Sequence, residues 1–187
     1  MAKVYEFLAT GFEEVEALIP LDIMRRAGVD FKTVSVTGEK VVESAHGVKI
    51  EADLLIEEAD FSDADLLMLP GGLPGATNLN EHAGVKKALV EQNIRGKMIG
   101  AICAAPMVLG GLGMLEGKRA TCYPGFEEYL EGAEYTHELC TVDGNITTGE
   151  GPAATFPYAY KLLEALTDKN TADGIAGGMM YKHLMLK

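Results

Sequence analysis

Short β-rich runs alternate with longer stretches of helical periodicity along the whole chain, and this alternation restricts the fold more than any other feature. Residues 3–9 (KVYEFLA) read as a strand, 13–27 as a helix closed by Gly28, and 31–36 as a second strand. A turn near His46-Gly47 makes 41–50 a small hairpin set on an edge. Residues 65–69 (DLLML) are nearly all apolar, as in a strand buried on both faces of a parallel sheet, and Pro70-Gly71-Gly72 stops them. After a loop rich in Gly, Pro and Asn, Asn80 is placed to cap a helix running to about residue 93; a strand at 97–102 and a helix opening at 106 follow. The rest reads as a strand at 120–122, a short helix at 126–130, a hairpin at 139–148 turning at Asp143-Gly144, a helix at 155–166 and further helix from 171.

Strands alternating with helices through short connections build a parallel sheet covered on both faces. Six or seven strands fall short of a barrel's eight. The expected architecture is therefore an open, doubly wound α/β sandwich, mostly parallel, with residues 1–187 forming a single domain. Ligands bind such sheets beyond the carboxyl ends of the strands. That rule selects Ala9-Thr10-Gly11, Pro70-Gly71-Gly72 and Ile102-Cys103-Ala104.

A formal net charge of −12 disfavours nucleic acid and acidic membrane surfaces, whose affinity for proteins comes from basic side chains. No window holds the ~18 consecutive apolar residues of a membrane span, and the start MAKVYEFLATGFEE has neither the basic region nor the cleavage site of a secretory signal. A cytoplasmic protein is expected. Three widely spaced cysteines form neither a disulfide framework nor a zinc motif, and the four histidines stand apart, so neither metal nor cofactor is expected.

Cys103 occupies the corner between the 97–102 strand and the helix opened by Pro106. A sharp corner crowds its own side chains, which accounts for the small residues at 100, 101, 104 and 105. The layout is that of a nucleophile elbow with cysteine in the reactive place. The free amides of a helix N-terminus favour thiolate over thiol, so a lowered thiol pKa is expected. Cys122 and Cys140 fall within expected strands, with no helix start beside them, and read as inert thiols.

A second chemical group comes from the first helix. At 100° per residue, Ile19, Pro20, Ile23, Met24 and Ala27 form one stripe, with Glu16 in its middle. A carboxylate among such neighbours must hold its proton above the usual pKa or find a partner. The glycines after Leu69 could add backbone amides which, with that of Ala104, would form an oxyanion hole. Gly71 and Tyr123 are expected to line the pocket around the thiol.

Together these pieces resemble the ThiJ/PfpI family, in the subgroup of the parkinsonism-associated protein deglycase. The resemblance rests on Gly11-Phe12-Glu13-Glu14-Val15-Glu16 with Ile19-Pro20, Met24-Arg25-Arg26-Ala27-Gly28, Leu69-Pro70-Gly71-Gly72, Ala101-Ile102-Cys103-Ala104-Ala105-Pro106 and Gly151-Pro152. It implies a flavodoxin-like fold and a homodimer. It also implies a functional Cys103 partnered by a protonated Glu16, with oxyanion amides from Gly72 and Ala104. Two departures stand out. Tyr123 sits where many relatives carry a histidine before a proline, and His46 stands where related sequences have an arginine near the dimer interface.

The leading expectation is a glyoxalase- or deglycase-type enzyme acting on small α-oxoaldehydes or their adducts, in protection against carbonyl and oxidative stress. The alternative is a redox-sensing or chaperone-like protein with an oxidisable Cys103. A cysteine peptidase or amidotransferase-like hydrolase would need a base. Tyr123 is a poor one, and His137 is the candidate left by chain order.

Overall fold

The computed structural model describes residues 1–185 and has the mostly parallel α/β architecture implied by the alternation. The first half runs β1 (Lys3–Leu8), α1 (Glu14–Arg26), β2 (Asp30–Ser35), β3 (Val41–Glu43), β4 (Lys49–Glu51), β5 (Leu54–Leu55), β6 (Leu66–Leu69), α2 (Gly75–Glu81) and α3 (Ala83–Ile94). The second runs β7 (Met98–Ile102), α4 (Pro106–Gly111), β8 (Arg119–Ala120), β9 (Glu134–Tyr135), β10 (Cys140–Asp143), β11 (Ile146–Gly149), α5 (Thr155–Leu166), α6 (Lys169–Gly178) and α7 (Tyr181–Met185). No helix among the described residues is long and apolar enough to cross a membrane.

The main sheet has seven strands in the order β10-β11-β7-β6-β1-β2-β5, and only β10 runs antiparallel to its neighbour. From β1 the chain moves outward to β2 and β5, then returns to pair β6 on the opposite side of β1. This reversal opens a crevice beyond the ends of β1 and β6, as in other doubly wound sheets. The segments after β1, β6 and β7 all end there.

Side-chain alternation divides the core into two layers. Phe7, Leu67, Leu69, Ile99 and Ala101 pack on the side of α2, α3 and α4. Val4, Phe31, Leu66, Met68 and Ile102 pack on the opposite side, with Ile23 and Met24 of α1 and Tyr158 and Leu162 of α5. At about 25 cal/mol per Å2 of apolar surface removed from water, these layers are the main favourable contribution to the fold.

The structure corrects several local expectations. Asn80 lies inside α2 and caps nothing; the cap of α3 is His82, whose Nδ1 accepts from the Val85 N–H at 3.2 Å. The β3–β4 hairpin forms its own two-stranded sheet and does not extend the edge of the main one. It hangs on the loop after β1 through Gly11 N–H to Glu43 O and Ala45 N–H to Phe12 O. The strand expected at 120–122 is only Arg119–Ala120, paired in parallel with Glu134–Tyr135, which leaves Cys122 just outside it. In the β10–β11 hairpin Asp143 pairs with Ile146, so the turn is Gly144-Asn145, one residue later than expected. Gly144, with φ of 61°, supplies the left-handed conformation at the first turn position.

Candidate functional site

Cys103 has φ of 65°, a left-handed conformation that costs a non-glycine residue about 1–3 kcal/mol and persists only where its surroundings enforce it. Here the Cys103 N–H donates to Gly149 O at 2.9 Å, and its carbonyl accepts from the Tyr123 N–H at 2.9 Å. Buried Ala104 and Ala105 then turn the chain into α4. The side chain is consequently aimed into the crevice, and it is 8% exposed.

Glu16 approaches from α1. The helix buries Glu16, Ala17, Pro20, Ile23 and Met24, the stripe expected from its periodicity, while Ile19 and Ala27 are half-buried. Its N-cap is Glu13, whose Oε2 accepts from the Glu16 N–H at 2.8 Å. Glu16 is wholly buried. Its Oε2 accepts from the Gly71 N–H at 2.8 Å, its carboxyl faces the Cys103 thiol, and Oε1 has no partner of good geometry.

The glycines after β6 make this approach possible. A Cβ on Gly71 would lie 2.6 Å from Cys103 Cβ, 2.7 Å from Glu16 Oε2 and 2.9 Å from Ile102 O. Gly72 has φ of 82°, and a Cβ there would meet Glu13 N at 2.5 Å and Gly11 O at 2.7 Å. With both residues bare, the Gly72 and Ala104 amides reach the Cys103 sulfur and favour its anionic form. Both amides expected to build an oxyanion hole therefore lie at the sulfur. Gly71 does not line the pocket as expected: it is buried, and it serves the pair through its N–H.

Electrostatics link the two groups. Burial raises the Glu16 carboxyl to about 7, against the downward pull of the Cys103 thiol and the Gly71 amide, with the negative charge of Glu13 adding to the rise. Burial likewise raises the Cys103 thiol, and the charge and hydrogen bond of Glu16 raise it further; the Gly72 and Ala104 amides oppose this. The lowered thiol expected from the helix N-terminus is thus corrected. α4 spans only Pro106–Gly111 and starts beyond Ala105, too short and too far to outweigh burial. Near neutrality the pair behaves as a unit that shares a proton.

Cys103 opens on a cavity of about 370 Å3 lined by Glu13, Ala45, His46, Gly72, Leu73, Ala104, Tyr123 and Phe126. Tyr123 is in the wall, as expected. His46 hydrogen-bonds Glu14 through Nδ1, at 3.0 Å to Oε1. That hydrogen bond, and then the Glu14 charge, raise the His46 pKa. Sequence reasoning missed Glu13 and the Glu14–His46 pair. Glu13 was readable as a cap, since it immediately precedes the helix; the pair joins elements 32 residues apart and left no local signal.

Glu13, Glu14 and His46 can each bring one ligand atom within 4.8 Å of the others, the single group with metal-site spacing among the described residues. Their present contacts, a helix cap and an ion pair, account for all three without an ion. His137 packs at a tilt against Tyr135, with ring centroids 4.0 Å apart, and lies outside the set lining the cavity. Cys122 is buried, Cys140 is half-buried, and all three cysteines are free.

The DJ-1/PfpI family model matches residues 2–165. Parkinson disease protein 7 homolog of Danio rerio is 36% identical over 94% of this chain and 95% of its own length. Protein DJ-1 homolog B of Arabidopsis thaliana is 38% identical over 96% of this chain, which spans only 42% of that relative's length. The solved structure of oxidized Toxoplasma gondii DJ-1 superposes with a TM-score of 0.93 at 34% identity, covering 96% of this chain and 98% of that one. More distant relatives include a glutathione-independent glyoxalase of Caenorhabditis elegans, 30% identical over 82% of each chain, and a deglycase of Pyrococcus horikoshii, 28% identical over 88% of this chain and 99% of its own. Matched along most of its length in sequence and superposed on a family structure over nearly all of it, the chain belongs to the DJ-1/PfpI family.

Proposed function

We propose that this protein is a cysteine-dependent enzyme of the glyoxalase/deglycase type, working in the cytoplasm as a homodimer on small α-oxoaldehydes or their adducts. The observation that carries the reading is the Cys103–Glu16 pair beneath a 370 Å3 cavity, with the Gly72 and Ala104 amides at the sulfur. The relatives named for glyoxalase and deglycase activity support the same chemistry.

Glu16 takes the thiol proton as the sulfur attacks the aldehyde carbon, and the C=O π bond opens to an alkoxide. The Gly72 and Ala104 amides move from the sulfur to that oxygen, which then takes the proton back from Glu16 to give a hemithioacetal. Glu16 next removes the hydrogen on the former aldehyde carbon, leaving an enediolate, and returns that proton to the adjacent carbon, while the hydroxyl proton on the first carbon passes to the oxygen on the second. The product is a thioester of a 2-hydroxy acid. Water cleaves its C–S bond, releasing the acid and restoring the thiol. The test is conversion of methylglyoxal to lactate. Cys103→Ser should abolish turnover and Glu16→Gln should reduce it at least a hundredfold, with unchanged circular dichroism. Wild-type rates in either variant would remove the mechanism.

A second reading also draws on the site. A sulfur beside two amides and a protonated carboxyl is equipped to hold a sulfinate, formed as two equivalents of peroxide oxidise the thiolate and leave as water. Mass spectrometry after mild peroxide treatment separates the readings. Two oxygens added at Cys103, without turnover of methylglyoxal, would favour the sensor.

A further inference from the structure

Within electrostatic reach of Glu16 lies another carboxyl for which the mechanism has no use. Glu6 alternates with Val4 and Leu8 on the face of β1 covered by α1 and α5. It is 0% exposed, and neither of its carboxylate oxygens has a hydrogen-bond partner. Across the sheet Glu6 pairs with Met68, and Met68 with Gly100. Gly100 has no side chain, and the Tyr158 hydroxyl of α5 fills that space; a Cβ there would lie 2.5 Å from the hydroxyl oxygen. That hydroxyl is buried and unpartnered, as is Glu16 Oε1. Three polar groups from β1, α1 and α5 are thus enclosed in one layer with unmet hydrogen bonds. Such groups in native proteins are normally satisfied, often by an internal water with two to four polar partners.

We propose that Glu6 is a positioning residue for the Cys103–Glu16 pair. It keeps its own proton and offers it, through an internal water shared with Tyr158, to Glu16 Oε1, the oxygen that Gly71 does not hold. The inference rests on the reading of Glu16 as the proton carrier. Glu6 stays neutral because it is buried, because Glu16 lies near, and because Arg25, the cation facing it from α1, only partly offsets these effects. Glu13, the Cys103 thiol and the Gly71 amide face Glu16 from the other sides, and Cys140 faces Tyr158. A neutral donor at Oε1 favours ionised Glu16, so removing it should make the pair harder to deprotonate.

The experiment is the pH dependence of Cys103 alkylation by iodoacetamide, which reads the pair without requiring turnover. In Glu6→Leu the inflection should move up by about one pH unit, and in Glu6→Gln, which keeps a donor, it should stay near the wild-type value. Tyr158→Phe removes only the hydroxyl and should shift the inflection in the same direction, which provides the test if Glu6→Leu does not fold. An unmoved inflection in Glu6→Leu, or in Tyr158→Phe in its place, would overturn the proposal whatever happens to melting temperature. Glu16→Gln must move the inflection, because the thiol then titrates without its carboxyl partner. If the inflection stays at the wild-type position, Glu16 is not the proton carrier, and the proposed function falls along with this inference.

Discussion

At the scale of single residues, the site depends on an absent side chain. Gly71 has an ordinary φ, so alanine would fit the backbone, but its Cβ would collide with Cys103, Glu16 and a main-chain carbonyl at 2.6–2.9 Å. Overpacking of this kind costs about 1–3 kcal/mol. Gly71→Ala should lower the urea midpoint accordingly and disrupt the Glu16 contact, visible as a changed alkylation profile. Glu16 itself implies a pH dependence of stability. Its folded pKa is raised from an ordinary carboxylate value to about 7, so its contribution is complete below about pH 4.5 and is lost as pH rises through 7. The shift corresponds to roughly 3 kcal/mol. Between pH 4.5 and 8 the wild type should lose that much unfolding free energy relative to Glu16→Gln; parallel curves would contradict the buried acid.

Among the elements, α1 does two jobs at one end. Glu13 caps the helix, accepting from the Glu16 N–H, and its charge helps keep Glu16 protonated. Glu13→Ala should therefore cost about 1 kcal/mol of stability and shift the alkylation inflection downward. A purely structural cap would produce only the first effect, so a thermal melt and an alkylation profile on the same variant separate the two roles. The corner after β7 works differently. α4 is short, and the Gly72 and Ala104 amides at the sulfur only oppose the rise that burial and Glu16 impose on the thiol.

For the whole molecule, the sheet order brings the ends of β1, β6 and β7 to one crevice, so residues from positions 13 to 126 share a cavity. The proposed dimer would form on α1 and the hairpin beside it. Val15 and Leu18 of α1 and Val41 and Val48 of the adjoining hairpin are exposed, and α1 is tied to that hairpin by Glu14 and His46. Exposed apolar side chains on two linked elements suit an interface between copies. Sedimentation velocity should show a dimer in the wild type and a monomer in Leu18→Glu; a monomeric wild type would refute it.

Much is legible in the sequence, because local rules govern it. Alternating periodicity implied the sandwich, the Ile-Cys-Ala-Ala-Pro stretch implied the elbow, and the helical stripe singled out Glu16. Period-two alternation in KVYEFLA would equally have put Glu6 on a buried face beside Val4 and Leu8. Tertiary structure alone decided what those groups meet. The thiol is raised, against expectation, because burial and a neighbouring carboxyl from a helix 87 residues earlier outweigh the local amides. Gly71 serves the pair and not the pocket wall, and His46 reaches Glu14, for the same reason. Periodicity and capping are set within a few residues of chain, whereas desolvation and Coulomb interaction depend on distances that exist only once the sheet has formed.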